Sequence, residues 1–147
     1  GVFEMLRRQP RAARFSGGLD AEIFNEWHAN LLVSIRYEDV FFAADYPGAL
    51  RHIEKVSELM RPHFRHKAAM REKLRCYVLI GFDGESVSSA QRRLESVYQL
   101  GLMPFAMPYR GEESGKRVIS REWSKLQKTF SRPAATKSHM RSKAAWT

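Results

Sequence analysis

The sequence predicts an α/β fold made of four parallel βα units. Apolar runs centred near Phe15, Phe41, Val78 and Phe105 predict strands, and a helical apolar stripe follows each of them. The centres lie 26, 37 and 27 residues apart, which suits strand–helix–strand units with right-handed crossovers. The runs are apolar rather than alternating, which predicts that both sheet faces are covered. Four such units form an arc rather than a closed barrel.

Composition limits the class of protein. The chain has 147 residues, 44% of them hydrophobic, which is enough for one domain with a core. No apolar run approaches the roughly 20 residues of a membrane helix, and residues 1–10 lack the apolar region of a signal peptide. The single cysteine, Cys76, excludes an internal disulfide and a cysteine-based metal cluster held by this chain alone. These features favour a cytoplasmic setting.

The first unit has a short strand and a long helical stripe. Residues 14–16 predict a strand that Gly17 and Gly18 end. Asp20 is predicted to cap the following helix. The apolar stripe of that helix is Phe24, Trp27, Leu31 and Ile35.

The second unit is a strand at residues 40–44 followed by a helix that Pro62 disrupts. The inner face of this helix is predicted to be Ala49, Ile53, Val56 and Met60. Residues 61–73 are rich in Lys, Arg and His and predict an exposed, partly helical connection.

The third and fourth units follow the same pattern. Residues 77–80 predict a buried strand, and residues 103–107 predict the last one. Gly101 is placed as the residue that ends the helix between them. The inner faces of the helices after these two strands are predicted to be Ala90, Leu94 and Val97, and then Trp123, Leu126 and Phe130.

The C-terminal segment is predicted to differ from the rest. We expect a barrel-like part at residues 1–135 and a basic, irregular and flexible tail at residues 136–147. From Ser120 onward the chain carries seven Lys or Arg against Glu122, so that +6 of the formal net charge of +9 lies there.

The four strand ends carry glycines beside acidic or polar residues. In a parallel sheet these ends meet at one rim, where glycines let a ligand approach the backbone and carboxylates accept hydrogen bonds. Asp20 and Asp83 could equally cap helices, and Glu85 could stabilise a helix N-terminus. No catalytic residue and no metal ligand is predicted, because no nucleophile–base order, P-loop or metal-ligand spacing is present. The candidate ligand-binding residues are Gly17, Gly18, Asp20, Asp45, Gly81, Asp83, Glu85 and Tyr109.

The order of these strand ends resembles the C-terminal part of radical S-adenosylmethionine (radical SAM) enzymes, which have an incomplete (β/α)6 barrel. FSGGLDA is similar to the third strand of that family, and VFFAADYP is similar to the fourth. YVLIGFDGES resembles the fifth strand, whose Gly-Glu-Ser turn is here Gly84-Glu85-Ser86, and LGLMPFAMPYR resembles the sixth. The resemblance covers residues 13–135 and is greatest to iron–sulfur oxidoreductase-like members.

The resemblance implies a function for a longer parent protein. It implies S-adenosylmethionine and a [4Fe–4S] cluster as cofactors, with this chain supplying part of the SAM and substrate rim. The CxxxCxxC loop that ligates the cluster and the second-strand Gly-Gly-Glu segment are absent, and Cys76 cannot replace three ligands. The chain is therefore expected to be inactive alone and to need the missing N-terminal half of the barrel.

A different class of function stays open. Residues 61–73 and the basic C-terminal segment could form the contacts of a nucleic-acid-binding α/β module. A solvated loop and tail without a partner would give the same charge pattern.

Overall fold

The fold is a four-stranded parallel sheet with helices between the strands. A computed structural model describes residues 1–109 and 120–145. Arg110 and the loop that follows it lie outside the described residues. The elements in chain order are α1 (Val2–Arg7), β1 (Ala13–Leu19), α2 (Glu26–Val33), β2 (Tyr37–Ala44), α3 (Leu50–Met60), α4 (Lys67–Lys73), β3 (Leu74–Ile80), α5 (Val87–Gln99), β4 (Met103–Pro108), α6 (Arg121–Thr129) and α7 (Pro133–Ala145).

The strands lie in the spatial order β1-β2-β3-β4, and all neighbouring pairs are parallel. The predicted α/β class and the alternation of strands and helices are therefore confirmed. The order places each strand beside the one that follows it in the chain.

The main core lies between one face of the sheet and the helices. Val40, Phe42, Cys76 and Val78 of the central strands pack there with α3, α4 and α5, and all four are fully buried. The expectation that both faces are covered alike is wrong for β3, whose residues alternate between buried and half-buried. The opposite face carries an aromatic cluster in which the Phe41 and Tyr77 rings stack 4.5 Å apart and Phe105 lies beside them.

The helical stripes of α3, α5 and α6 have the predicted phase. Their inner residues are buried except Trp123, which is partly buried. Ser86 and Ser120 cap α5 and α6 by accepting backbone N–H bonds. Gly101 follows α5 with φ +98° and lies against Met70, so that a Cβ there would be 2.8 Å from the Met70 sulfur. A side chain at this position would be both strained and crowded.

Three local predictions in the first unit are wrong. β1 does not end at Gly17 but runs to Leu19, and its register with β2 shifts between Phe15 and Leu19. Asp20 does not cap α2, because Asn25 does so in a capping box with His28. Trp27 points to solvent with 64% of its surface exposed, while Ala29 and Leu32 are buried instead.

The segment after Arg132 is helical, contrary to the expectation of an irregular chain. α7 buries Thr136 and Met140. Its His139 and Lys143 reach Glu95 of α5, with Lys143 Nζ 2.7 Å from both carboxylate oxygens. Trp146 lies outside the described residues.

Candidate functional site

A cleft of about 310 Å3 opens at the carboxyl ends of β1 and β2. It brings together four of the eight residues selected from the sequence, Gly17, Gly18, Asp20 and Asp45. Among the described residues, the lining is Gly17, Gly18, Leu19, Asp20, Ala21, Glu22, Ala43, Asp45, Tyr46, Ala49 and His52.

The two glycines form one wall of the cleft as a bulge in an edge strand. Three residues of β1 lie between Phe15 and Leu19, whereas their partners in β2, Val40 and Phe42, are separated by one residue. Gly18 has φ +83°, a conformation that other residues rarely adopt. A Cβ at Gly17 would meet no atom within 4 Å, so this part of the wall is bare backbone beside open space.

The cleft is acidic although the chain is basic. Asp20, Glu22 and Asp45 line it, and the described part of its lining includes no Lys or Arg. Asp20 Oδ1 accepts a hydrogen bond from the Glu22 N–H at 2.9 Å, which fixes the turn after β1. The Lys55 ammonium lies nearby, but it donates to the Glu22 carbonyl oxygen and not to a carboxylate. The site therefore favours a cationic or hydroxyl-bearing ligand.

Tyr46 and His52 complete the cleft, and sequence reasoning did not select either. The Tyr46 hydroxyl lies 3.1 Å from His52 Nε2, and the Tyr46 ring lies over Gly48. Pro47 begins a single helical turn there, which leads into α3 and places His52 beneath Tyr46. Pro47 indicates in the sequence that a helix starts directly after β2. A side chain in the first turn of such a helix lies near the strand end, and this could have identified His52.

The turn after β3 is held mainly by internal contacts. Glu85 does not line the cleft; its carboxylate accepts two hydrogen bonds from Arg93 Nη2, at 2.7 and 2.8 Å. The same guanidinium nitrogen donates to the Leu79 carbonyl oxygen, so Arg93 ties the end of β3 to the turn. Gly81 and Gly84 both have positive φ, and Asp83 is exposed without capping α5.

Tyr109 extends the end of β4 toward this turn. Its N–H donates to the Ile80 carbonyl oxygen at 2.7 Å, and its ring lies 5.5 Å from that of Phe82. Gly81, Asp83, Glu85 and Tyr109 thus lie together at the ends of β3 and β4. They do not line the cleft at β1 and β2.

Cys76 is fully buried on the helix-facing side of β3. Burial raises the pKa of its thiol, and the negative charge of Asp45 adds to this effect. A neutral buried thiol is a poor metal ligand and a poor nucleophile. Among the described residues, no group of three His, Cys, Asp or Glu side chains is placed to hold a metal ion.

Several basic side chains in the connection before β3 donate hydrogen bonds to backbone carbonyl oxygens. Arg61 and Arg71 donate to the Phe64 and Tyr98 carbonyl oxygens, and Lys73 donates to the Tyr37 carbonyl oxygen. His63, Arg65 and Lys67 are exposed. The hydrogen bonds to carbonyl oxygens orient Arg61, Arg71 and Lys73 toward the fold and leave their positive charges in place.

Comparison with protein-family models, curated proteins and solved structures gave no match. Within residues 1–109 and 120–145, no helix has the length and apolar character needed to cross a membrane.

Proposed function

We propose that this chain binds S-adenosylmethionine, or a similar cationic nucleoside, in the cleft at the ends of β1 and β2. In this proposal it is the ligand-binding part of a radical SAM-like enzyme. The observation that carries the proposal is the acidic lining, Asp20, Glu22 and Asp45, of a cleft on a chain with a formal net charge of +9. The resemblance of FSGGLDA and VFFAADYP to radical SAM strand ends concerns this same cleft.

The charges of the ligand suit the cleft. S-adenosylmethionine carries a sulfonium and an ammonium group against one carboxylate, so its net charge is positive. Two unit charges 4 Å apart attract by about 1 kcal/mol in water and by about 4 kcal/mol near a protein surface of lower dielectric. Asp20 and Asp45 would accept hydrogen bonds from the ammonium group or the ribose hydroxyls. Gly17 would let the ligand lie against the backbone.

The iron–sulfur cluster that the resemblance implies does not fit the described residues. It needs three thiolates, and the chain has one cysteine, whose thiol is buried and kept protonated. The ligands of a cluster would belong to another segment of the enzyme. This chain would bind and orient the nucleoside without performing its reductive cleavage.

Calorimetric titration with S-adenosylmethionine and S-adenosylhomocysteine tests the proposal. The second compound keeps the nucleoside and the amino acid but has a neutral thioether in place of the sulfonium. We expect the sulfonium compound to bind about tenfold more tightly near neutral pH and low salt, a difference of about 1.4 kcal/mol. Equal affinities would contradict charge recognition, and no binding of either compound would contradict the proposal as a whole.

A further inference from the structure

The two edges of the sheet differ in their capacity to pair with another strand. β4 carries Pro104 and Pro108, which have no N–H, and the N–H of Ala106 between them donates to the Phe130 carbonyl oxygen at 2.8 Å. The backbone N–H and C=O groups of successive residues in a strand point to opposite sides. Since the Ala106 N–H points away from β3, the N and C=O positions of residues 104 and 108 do so as well. The outer edge of β4 therefore offers no free N–H at residues 104, 106 and 108, and it cannot easily extend the sheet.

The outer edge of β1 has no such protection in the described part of the chain. The Ala13 N–H points toward β2, where it donates to the Arg36 carbonyl oxygen, so Arg14 and Ser16 direct their N–H and C=O groups outward. Both residues are exposed, and within the described residues no other segment hydrogen-bonds to these outward groups. The register of β1 with β2 shifts between Ala13 and Arg14 and again at the Gly17-Gly18 bulge, so the regular edge is limited to residues 14–16.

Exposed apolar side chains gather near this same edge. Seven large apolar side chains are exposed among the described residues, and five of them belong to the first 33 residues: Val2, Met5, Ile23, Trp27 and Val33. α2 packs against α3, and α1 meets the end of α2 through the bond from Arg7 to Ser34. The first unit, which contains β1, thus has the most exposed apolar surface of the described chain, and large exposed apolar surfaces mark interaction sites.

We propose that two copies of this chain pair through β1 in antiparallel orientation. A twofold axis near Phe15 would place Arg14 of each copy opposite Ser16 of the other, and their outward N–H and C=O groups would form two reciprocal pairs of hydrogen bonds. The charges at the ends of the strand favour this orientation. Arg11 precedes β1 and Asp20 follows it, and both are exposed, so each cationic end would meet an anionic end. The surfaces around Ile23 and Trp27 would face each other across the axis.

This pairing does not rest on the ligand proposed for the cleft, although Asp20 takes part in both proposals. A strand from another segment of a longer polypeptide would compete for the same edge. A second copy brings its own apolar surface and the opposite order of end charges. The oligomeric state of the chain in solution therefore decides between these occupants.

Sedimentation velocity over a concentration series from about 1 to 100 µM tests the proposal, because a self-association shifts by mass action. We expect a dimer of the 17.0 kDa chain. Ser16→Pro removes an outward N–H that the ladder with β2 does not use, and Trp27→Lys places a charge in the apolar surface. Each should weaken dimerisation by about tenfold or more. Met107→Lys is the matched control, since Met107 is an exposed apolar residue of β4, and it should dimerise normally.

A wild-type chain that stays monomeric throughout the series would overturn the proposal. A dimer that is unaffected by both Ser16→Pro and Trp27→Lys would also overturn it. Circular dichroism shows whether Ser16→Pro is folded, and Trp27→Lys decides the question if it is not, because Trp27 is a surface residue.

Discussion

Glu85 and Arg93 form a buried ion pair that joins the turn after β3 to the second turn of α5. Their side chains are 5% and 10% exposed, and Arg93 Nη2 lies 2.7 Å from Glu85 Oε1. The pair makes Glu85 a structural residue of the turn. Neither role that the sequence offered for Glu85, ligand binding or stabilising a helix N-terminus, included this ion pair.

Glu85→Gln should therefore destabilise the fold. Removing one charge of a buried pair leaves the other without compensation, which typically costs about 3–5 kcal/mol, and the isosteric amide should limit the loss to about 2–4 kcal/mol. The free energy of unfolding in urea measures the effect. Glu4→Gln, in an exposed ion pair of α1, is the control and should change stability by about 0.5 kcal/mol or less. Equal effects of the two substitutions would show that the buried pair contributes no net stability.

We also expect α7 to contribute to stability. Met140→Ala should cost about 2 kcal/mol or more, because Met140 is 7% exposed and its loss would leave a cavity. Arg141→Ala, at the exposed neighbouring position, should be nearly neutral. Thermal unfolding of both variants provides the comparison. A Met140→Ala chain as stable as the wild type would support the original expectation of a dispensable tail.

Stability should fall at alkaline pH because of Tyr37. Burial raises the pKa of its phenol from 10.0 to about 12, so the folded state keeps a proton that the unfolded state loses above pH 10. The contribution is thus present below pH 10 and is lost between pH 10 and about 12, by about 2–3 kcal/mol in total. Tyr37→Phe should flatten this part of the curve of unfolding free energy against pH. An unchanged slope in that variant would assign the alkaline loss to other groups.

The strands and most helix faces were predictable because burial repeats with a fixed period. Local sequence pattern was enough to predict the strands β2 and β3 and the inner residues of α3 and α5. The stripe of α2 was misplaced because it was counted from Phe24, which precedes the helix that begins at Glu26. Counting from outside a helix shifts the phase, and Trp27 was therefore assigned to the core.

Other features depend on partners that are distant in sequence. α7 is composed largely of Ala, Ser, Thr and basic residues, and it is held by Glu95, which lies 48 residues before Lys143. Glu85 could not be recognised as an ion-pair residue until Arg93 was seen to turn back toward it. Four of the eight predicted site residues share one cleft because β1 and β2 are neighbours. The other four lie at the ends of β3 and β4, apart from this cleft.

The most direct test of the proposed function compares two aspartates that the sequence selected and the fold separates. Asp45 lines the acidic cleft, whereas Asp83 is exposed in the turn after β3. Calorimetric titration of S-adenosylmethionine into Asp45→Asn should show affinity reduced by about tenfold, since a carboxylate facing a cation is lost. Asp83→Asn should bind as the wild type does. Undiminished binding by Asp45→Asn, or an equal loss in both variants, would contradict the assignment of the cleft as the binding site.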